Sequence, residues 1–320
     1  MTIYKLPEMT VTDLTDRRLA VALGNFDGVH RGHRQLLTAV REEAARLGCA
    51  SAVWAFTSLL KEGMAGALTD SMEKLRVIAE AGVNFAVLED FDAVRHLTPA
   101  EFAEGYLSDR LCCAAAVCGF NFRFGKGGAG DAQTLTASLS RRGIPVRVIA
   151  PVADVGGVVS STRIRAAVTA GDMETASSLL GRPFSIRFPV VHGHRLGHTI
   201  GVPTINQEFP DGHIRPARGI YACVCTVDGR SYAAVTNVGA RPTVSDSGRV
   251  NCETHILDYD GDLYGNTVRV SFLYRLRDEQ RFSDVTALKN RIALDIAEAR
   301  QYFAAHPTAL VNDPTKEDTP

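Results

Sequence analysis

Long apolar runs are missing from this 320-residue chain: no stretch of about 18 uninterrupted apolar residues occurs, which excludes a helical membrane span. The opening MTIYKLPEMT has no basic segment followed by an apolar one, so no secretory signal is expected. Charge of one sign is also missing. With 35 Lys and Arg against 36 Asp and Glu, the net charge is −1, which lacks the basic field of a nucleic-acid binder. No C-x-x-C pair occurs, and the 7 cysteines cannot all pair, which argues for reduced thiols in a cytoplasmic protein rather than a disulfide framework. There is no G-x-x-x-x-G-K-[ST], so an ATP site in this chain is not a P-loop. Internal repeats are lacking, and nothing in the sequence speaks to oligomeric state.

What remains is a soluble, globular composition, 45% hydrophobic and 22% charged, long enough for two domains with a core each. The first half alternates. RLAVALG, ASAVWAF, VNFAVLEDF and AAAVCGF have the character of strands. RGHRQLLTAVREEAARLG is an amphipathic helix closed by Gly48. SMEKLRVIAEAG is a helix stopped by Gly82, and TPAEFAEGYLSDRLC is one opened by an N-cap Thr98 and a Pro. Such alternation predicts a parallel α/β sheet with helices on both faces and ligands beyond the carboxyl ends of the strands. After about residue 183 the pattern is β-rich. IYACVCTV and RSYAAVTNVG flank Asp228-Gly229, a hairpin signal, and further strands lead to one long helix opened by Ser283 or Asp284. This half predicts an antiparallel β-barrel with a packed helix. The expected boundaries are 1–182, 183–304 and a loose tail over 305–320. Cys223 and Cys225 alternate on one strand and are expected in its core.

The segment GNFDGVHRGH leaves the first buried strand through Gly24 and Asn25, turns at Asp27-Gly28, and places His30 and His33 at the start of a helix. Backbone N–H groups and the helix dipole favour an anion there, and imidazoles can donate to phosphate as charge builds in a transfer reaction. Two exposed histidines on a polar helix start are the bland alternative. A second anion cradle is VVSSTRIRAAV, where Ser160, Ser161 and Thr162 precede a helix carrying Arg163 and Arg165; the hydroxyls alone are also consistent with simple capping. GKGGAG at 125–130 satisfies G-x-G-x-x-G, but no helix is expected to start there, and a glycine loop over a ligand is the preferred reading.

In the second half, VVHGHRLGHTIGVPTINQ carries Gly193, Gly197 and Gly201 at four-residue spacing in a strand-rich context, a loop whose backbone can approach phosphates closely. Thr204 and Asn206 offer oxygen donors on one side with Ile205 between, a set that suits Mg²⁺ shared with nucleotide phosphates. A glycine-rich barrel turn followed by a strand is the plain alternative. DYDGDLYG imitates a calcium loop, but its glycine is misplaced and Arg269 stands where the bidentate Glu belongs, so a β-turn is expected.

GNFDGVHRGH, GFNFRFGKGGAGD and SSTRIR, in this order, resemble the adenylyltransferase module of bacterial riboflavin kinase/FAD synthetases, which are H-x-G-H nucleotidyltransferases. The resemblance implies that His30 and His33 hold the ATP triphosphate and the transition state, with Gly24, Asn25 and Asp27 on the ATP side. Ser161, Thr162 and Arg165 would contact the outgoing phosphates, and Asn121 would lie near the flavin. FMN phosphate would attack the α-phosphate of ATP, giving FAD and pyrophosphate. GRPFSI, HGHRLGHTIGVPTIN, PARGIYA, NVGARPTV, CETHILDYDGDLYG and RDEQRF resemble riboflavin kinase over nearly all of 181–303. This implies that Thr204 and Asn206 bind Mg-ATP and that Glu253 is the base for the riboflavin 5′-hydroxyl. His198 and Val202 depart mildly from that pattern.

One departure is larger. Residues 56–69 lack the family's Pro-His-Pro segment after the second strand, where FMN is gripped. The expected function is the bifunctional conversion of riboflavin to FMN and FMN to FAD, with riboflavin, FMN and ATP as partners. The alternatives are a riboflavin kinase whose front module binds FMN poorly, with Arg123, Lys126 or Lys61 as candidate substitutes for the missing grip, and a flavin or nucleotide sensor.

Overall fold

The structure, a computed structural model, describes residues 1–5, 18–57, 65–193, 201–240 and 250–310. The chain divides into two compact units, Met1–Ser161 and Thr162–Pro320.

The first unit is built on six parallel strands: β1 (Thr2–Lys5), β2 (Leu19–Leu23), β3 (Ala50–Phe56), β4 (Phe85–Glu89), β5 (Cys113–Gly119) and β6 (Val146–Ile149), in the order β1-β4-β3-β2-β5-β6. Strand β2, LAVAL, is buried at all five positions because each face has its own core. Leu19, Val21 and Leu23 enter one apolar cluster; Ala20 and Ala22 enter the other. Helices α1 (Arg31–Leu47) and α2 (Ser71–Glu80) supply Leu36, Leu37, Val40, Leu75 and Ile78 to the Ala20 side. Helices α3 (Glu101–Arg110) and α4 (Ala132–Ser140) supply Phe102, Leu107, Leu135 and Leu139 to the opposite side. The order reverses between β2 and β5, so the loops leaving these neighbours open the crevice where an open parallel sheet binds ligands.

Local signals explain most of these elements. Gly48 ends α1 in the left-handed region, φ 62°, with its N–H on the carbonyls of Ala44 and Ala45. Thr98 opens α3 through a reciprocal capping box: Glu101 N–H donates to Thr98 Oγ1 at 3.2 Å, and Glu101 Oε2 accepts from Thr98 N–H at 2.8 Å. The helix itself is π-wound, ending with Leu111 N–H on the Tyr106 carbonyl five residues back. The glycine segment departs from expectation: α4 does begin directly after it, with Asp131 as N-cap. Yet these glycines form a short 3₁₀ turn between the paired residues Arg123–Phe124 and Gly130–Asp131, not the direct strand-to-helix turn of a dinucleotide site.

The second unit opens with helices α5 (Ser161–Ala170), whose first residue belongs to the first unit, and α6 (Met173–Leu180). The sequence predicts one helix here. Gly171 ends it in the left-handed region at φ 78°, Asp172 caps the new helix, and a Cβ at 171 would stand 2.7 Å from Arg275 Cδ, which keeps the position a glycine. Then come six antiparallel strands, β7 (Phe184–Pro189), β8 (Ile205–Glu208), β9 (Gly219–Val227), β10 (Arg230–Ala240), β11 (Val250–Ile256) and β12 (Thr267–Asp278), in the order β7-β12-β9-β10-β11-β8. The two edges meet where Val191, just beyond β7, bridges to Asn206 of β8. The hairpin β9–β10 turns at Asp228 and Gly229, both at positive φ, as a two-residue loop requires.

Alternation divides β9 cleanly. Tyr221, Cys223 and Cys225 are fully buried on the inner face, while Ile220, Ala222 and Val224 meet Ala299 and Phe303 of helix α7 (Val285–Ala305) on the outer face. Burial pushes the Cys225 and Cys252 thiols up to about 12 and the Cys223 thiol well above its ordinary value, so all three are packing groups. Asp284 is the N-cap of α7. The compact second unit takes in α6, which packs on β7 and β12, ahead of residue 183. Ala309 and Leu310, assigned to a loose tail, pack against the α7 cluster; residues 311–320 lie outside the described part.

Candidate active sites

In the first unit, β2 ends at Leu23 and the chain crosses the crevice mouth as Gly24-Asn25-Phe26-Asp27-Gly28-Val29 before α1 begins. Three of these residues are left-handed: Phe26 at φ 53°, Gly28 at 80° and Val29 at 39°. For Phe and the β-branched Val this costs about 1–3 kcal/mol each. Both side chains are fully buried in the α1 core, and that burial offsets the cost. Gly24 makes room for the Phe26 ring, whose Cε2 would be 3.1 Å from a Cβ there.

His30 is the N-cap of α1. Its Nδ1 accepts the His33 backbone N–H at 3.2 Å, which places its own ring proton on Nε2. The two imidazoles stack at 3.7 Å with 14° between planes, and Phe26 tilts against His33 at 5.1 Å. Gly32 allows this arrangement, since a Cβ there would sit 3.1 Å from His30 Cε1. The histidine pair therefore stands at a helix N-terminus as a rigid unit. The Asn25 side-chain oxygen is buried with no hydrogen-bond partner among the described residues.

Asp27 fastens the loop to a distant segment. Its carboxylate accepts the backbone N–H groups of Leu68, at 2.9 Å, and Thr69, at 3.2 Å, while Gly28 N–H donates to Thr69 Oγ1. The Ser161 hydroxyl donates to the Asp27 carbonyl at 2.9 Å, so Ser161 is brought to the histidine loop. Thr162 and Arg165 follow on the first turns of α5, counted with the second unit. Asn121 is exposed beyond β5, the neighbour of β2, at the same edge of the sheet.

The end of β3 holds a residue that sequence reasoning missed. Lys74, on α2, is 5% exposed and donates to the Phe56 carbonyl at 3.2 Å. Desolvation pulls its pKa down, opposed by the charge of Asp27. A signal was present: Lys74 stands one helical turn before Ile78, on the stripe that faces the core. Of the candidate substitutes for the Pro-His-Pro grip, Arg123 lies 3.8 Å from Asp131, Lys126 is exposed, and Lys61 lies outside the described residues.

In the second unit the candidate residues share one face of the barrel. Register pairs Asn206 of β8 with Glu253 of β11, and Glu253 with Asn237 of β10. Their sequence neighbours Gln207, Cys252, Thr254, Thr236 and Val238 are buried on the inner side, so the three polar residues project outward. Glu253 Oε1 accepts from Asn251 Nδ2 at 3.0 Å. The Asn237 side-chain oxygen is buried and lacks a hydrogen-bond partner among the described residues; it lies within the NVGARPTV motif but was not singled out from sequence. Gly193 faces Asn206 so closely that a Cβ would stand 2.5 Å from its Nδ2. Gly201 is left-handed and exposed, whereas Gly197 and His198 lie outside the described residues. Thr204 is half-buried just ahead of β8, and Ile205 is half-buried rather than enclosed.

These neutral oxygens test the expected metal. Among the described residues no three His, Cys, Asp or Glu gather into a protein cage. Thr204 and Asn206, with a glycine cradle beside the carboxamide, fit a hard cation that takes its remaining ligands from water and nucleotide phosphates.

A family model described as riboflavin kinase matches residues 180–303, and one described as FAD synthetase matches residues 13–163. Curated relatives described as bifunctional riboflavin kinase/FMN adenylyltransferase include that of Pseudomonas fluorescens, 38% identical, covering 90% of this chain and 94% of the relative. The Escherichia coli K12 protein is 37% identical, covering 88% and 92%. The Bacillus subtilis protein is 30% identical, covering 89% and 92%. A solved structure from Streptococcus pneumoniae, described as a macrolide-efflux protein, is 30% identical with a TM-score of 0.83 over 94% of this chain and 99% of that one. That description differs from those of the curated relatives, and no helix among the described residues here is long and apolar enough to cross a membrane. With both domain models in sequence order and relatives matched over nearly their whole length, the chain belongs to the bifunctional riboflavin kinase/FMN adenylyltransferase family.

Proposed function

We propose that the outer face of the second unit phosphorylates riboflavin and that the histidine loop of the first unit adenylylates the resulting FMN. The protein is an ATP-using enzyme with both activities. The observation that supports the residue assignment best is the lateral alignment of Asn206, Glu253 and Asn237 on three adjacent strands. Neighbouring strands lie about 4.8 Å apart, so a hydroxyl held at Glu253 is within reach of groups on both sides.

In the kinase step Glu253 accepts the proton of the riboflavin 5′-hydroxyl as its oxygen bonds to the γ-phosphorus of ATP. The bond from that phosphorus to the β,γ-bridging oxygen breaks, and ADP leaves. Asn251 orients the carboxylate. Thr204 and Asn206 would hold Mg²⁺, which when bound offsets the phosphate charge. Gly193, Gly197 and Gly201 let backbone approach the phosphates.

In the second step a phosphate oxygen of FMN attacks the α-phosphorus of ATP, and pyrophosphate leaves. His30, with its proton on Nε2, and His33 donate to phosphate oxygens at the α1 N-terminus as charge builds. Gly24 and Asn25 lie on the ATP side, Ser161, Thr162 and Arg165 on the side of the leaving phosphates, and Asn121 near the flavin. Asp27, expected with Gly24 and Asn25 on the ATP side, clamps the loop to residues 68–69. The cytoplasm, with its ATP and reducing conditions, suits a chain whose 7 cysteines are all free.

Incubation of the full chain with riboflavin, Mg²⁺ and ATP, followed by chromatography, tests the whole reading. FMN and FAD are expected in succession. FMN alone would confine the activity to the second unit, and neither product would overturn the assignment.

A further inference from the structure

Pairing between β8 and β11 stops just short of a residue that the kinase step uses. The ladder begins at Ile205 opposite Thr254 and runs through Asn206 opposite Glu253 to Glu208 opposite Asn251. One residue further it would set Thr204 against His255, and one more would set Pro203 against Ile256. Pro203 has no N–H to give, so a backbone ladder cannot be carried through it. Asn206 is fixed from both sides, by its pairing with Glu253 and by the Val191 N–H, which donates to its carbonyl at 2.8 Å. Thr204 stands beyond the first rung of a four-residue strand, and strand ends open most readily.

His255 closes that end with its side chain. Its Nδ1 lies 2.7 Å from the carbonyl oxygen of Pro203, 52 residues away in sequence. A carbonyl oxygen only accepts, so Nδ1 carries the proton and donates. Asp258 is close enough to sense His255, but its carboxylate is taken by Arg300 of α7 through two bonds at 2.7 and 2.9 Å, so no ion pair with it draws the ring away from Pro203. Glu253 and His255 are two residues apart on β11, with Cys252, Thr254 and Ile256 buried on the inner side, so both project from the outer face. One strand thus carries the base and, one step along, a prop beneath the residue before Thr204.

We propose that His255 is a positioning residue of the kinase site: its imidazole replaces the ladder bond that Pro203 cannot make and holds Thr204 beside Asn206, where Mg²⁺ and the ATP phosphates are to be bound. This rests on the kinase reading above. His255 acts through Thr204 rather than on a reacting atom. Because it shares a strand with Glu253, it ties the metal-side oxygens to the base, and its loss weakens Mg-ATP while leaving the riboflavin hydroxyl at Glu253.

The test uses the full chain. His255→Leu keeps much of the bulk of the ring but removes the donor. The KM for Mg-ATP in riboflavin phosphorylation should rise about three- to tenfold, the scale of one lost hydrogen bond, while the KM for riboflavin stays within about twofold. His255→Asn, whose carboxamide nitrogen is attached at Cγ as Nδ1 is, should recover most of the affinity. Hydrogen–deuterium exchange reads the same prop without turnover. In His255→Leu the amides of residues 204–206 should exchange about three- to tenfold faster, those of the β9–β10 hairpin should keep the parent rate, and the Asn variant should slow the first set again. An unchanged KM for Mg-ATP, an equal rise for both substrates, or faster exchange through the whole barrel overturns the proposal. If His255→Leu does not fold by circular dichroism, His255→Ala is read in its place, and failure of both to fold assigns the histidine to the fold and also overturns it. Failure of the underlying reading looks different: the parent protein then makes no FMN, while the exchange comparison still reports on the prop.

Discussion

The two sites fix their reactive groups by opposite means. In the first unit one loop holds the histidines: Phe26, Gly28 and Val29 are left-handed, Phe26 and Val29 are fully buried, and the stacked imidazoles follow at a helix start. In the second unit Asn206, Glu253 and Asn237 come from three strands of ordinary extended backbone, set side by side by register. The histidine loop stores strain and is local in sequence, although Ser161 reaches it from far along the chain. The sheet site is unstrained and is assembled across distance in the chain. A local site leaves a motif that can be read as a string; a register site leaves scattered residues whose relation appears only when the strands pair.

The largest expected effect separates the two sites. Glu253→Gln keeps the shape of the carboxylate but removes the base, so riboflavin phosphorylation should fall about 10²-fold or more. FAD formation from supplied FMN should be unchanged. Near-normal kinase turnover in this variant would take Glu253 out of the mechanism.

The mirror experiment is His33→Ala. Loss of one preorganised donor should reduce FAD formation about 10²-fold while the kinase is untouched. His33 is the better target than His30, which also caps α1 and whose removal would cost about 1 kcal/mol of helix stability. Equal losses in both activities would show that the comparison between independent sites is mistaken.

Gly193→Ala probes the sheet site without changing a polar group. The new Cβ would lie 2.5 Å from Asn206 Nδ2, so the carboxamide must move. A drop in riboflavin phosphorylation of about tenfold is expected, with poorer apparent affinity for Mg-ATP. Wild-type kinetics would show that the position of Asn206 does not matter.

The smallest effect concerns the limits of the second unit. Fragments 183–310 and 162–310 should both phosphorylate riboflavin. The longer one keeps Met173, Ala176, Leu179 and Leu180, all buried, and should be more stable by about 2–5 kcal/mol in urea unfolding. Equal stability would return the boundary to residues 182–183.

Much of the framework was open to reading because its causes are short-range. Gly48 and the Asp228-Gly229 turn need positive φ, Thr98 and Asp284 cap the helices α3 and α7, and LAVAL is too apolar for anything but a strand buried on both faces. Where the reading fell short, one cause was local and one distant. The helix after Ser161 breaks at the left-handed Gly171 with Asp172 capping the next helix, a local signal that was passed over, while Arg275 far along the chain leaves no room for a side chain there. The partners of the Asp27 carboxylate, the N–H groups of Leu68 and Thr69, lie far along the chain and appear only once it folds.

The sequence by itself determined the two-part order, the parallel and antiparallel characters of the halves, and the histidine pair at a helix start, since periodicity, caps and turns act within a few residues. Tertiary structure alone decided which polar groups share a face and which charges are enclosed. Asn237 joins Glu253 through strand register, and Lys74 becomes a buried cation because α2 packs on the sheet beside the end of β3. Register and burial depend on partners far along the chain, and no local pattern specifies them.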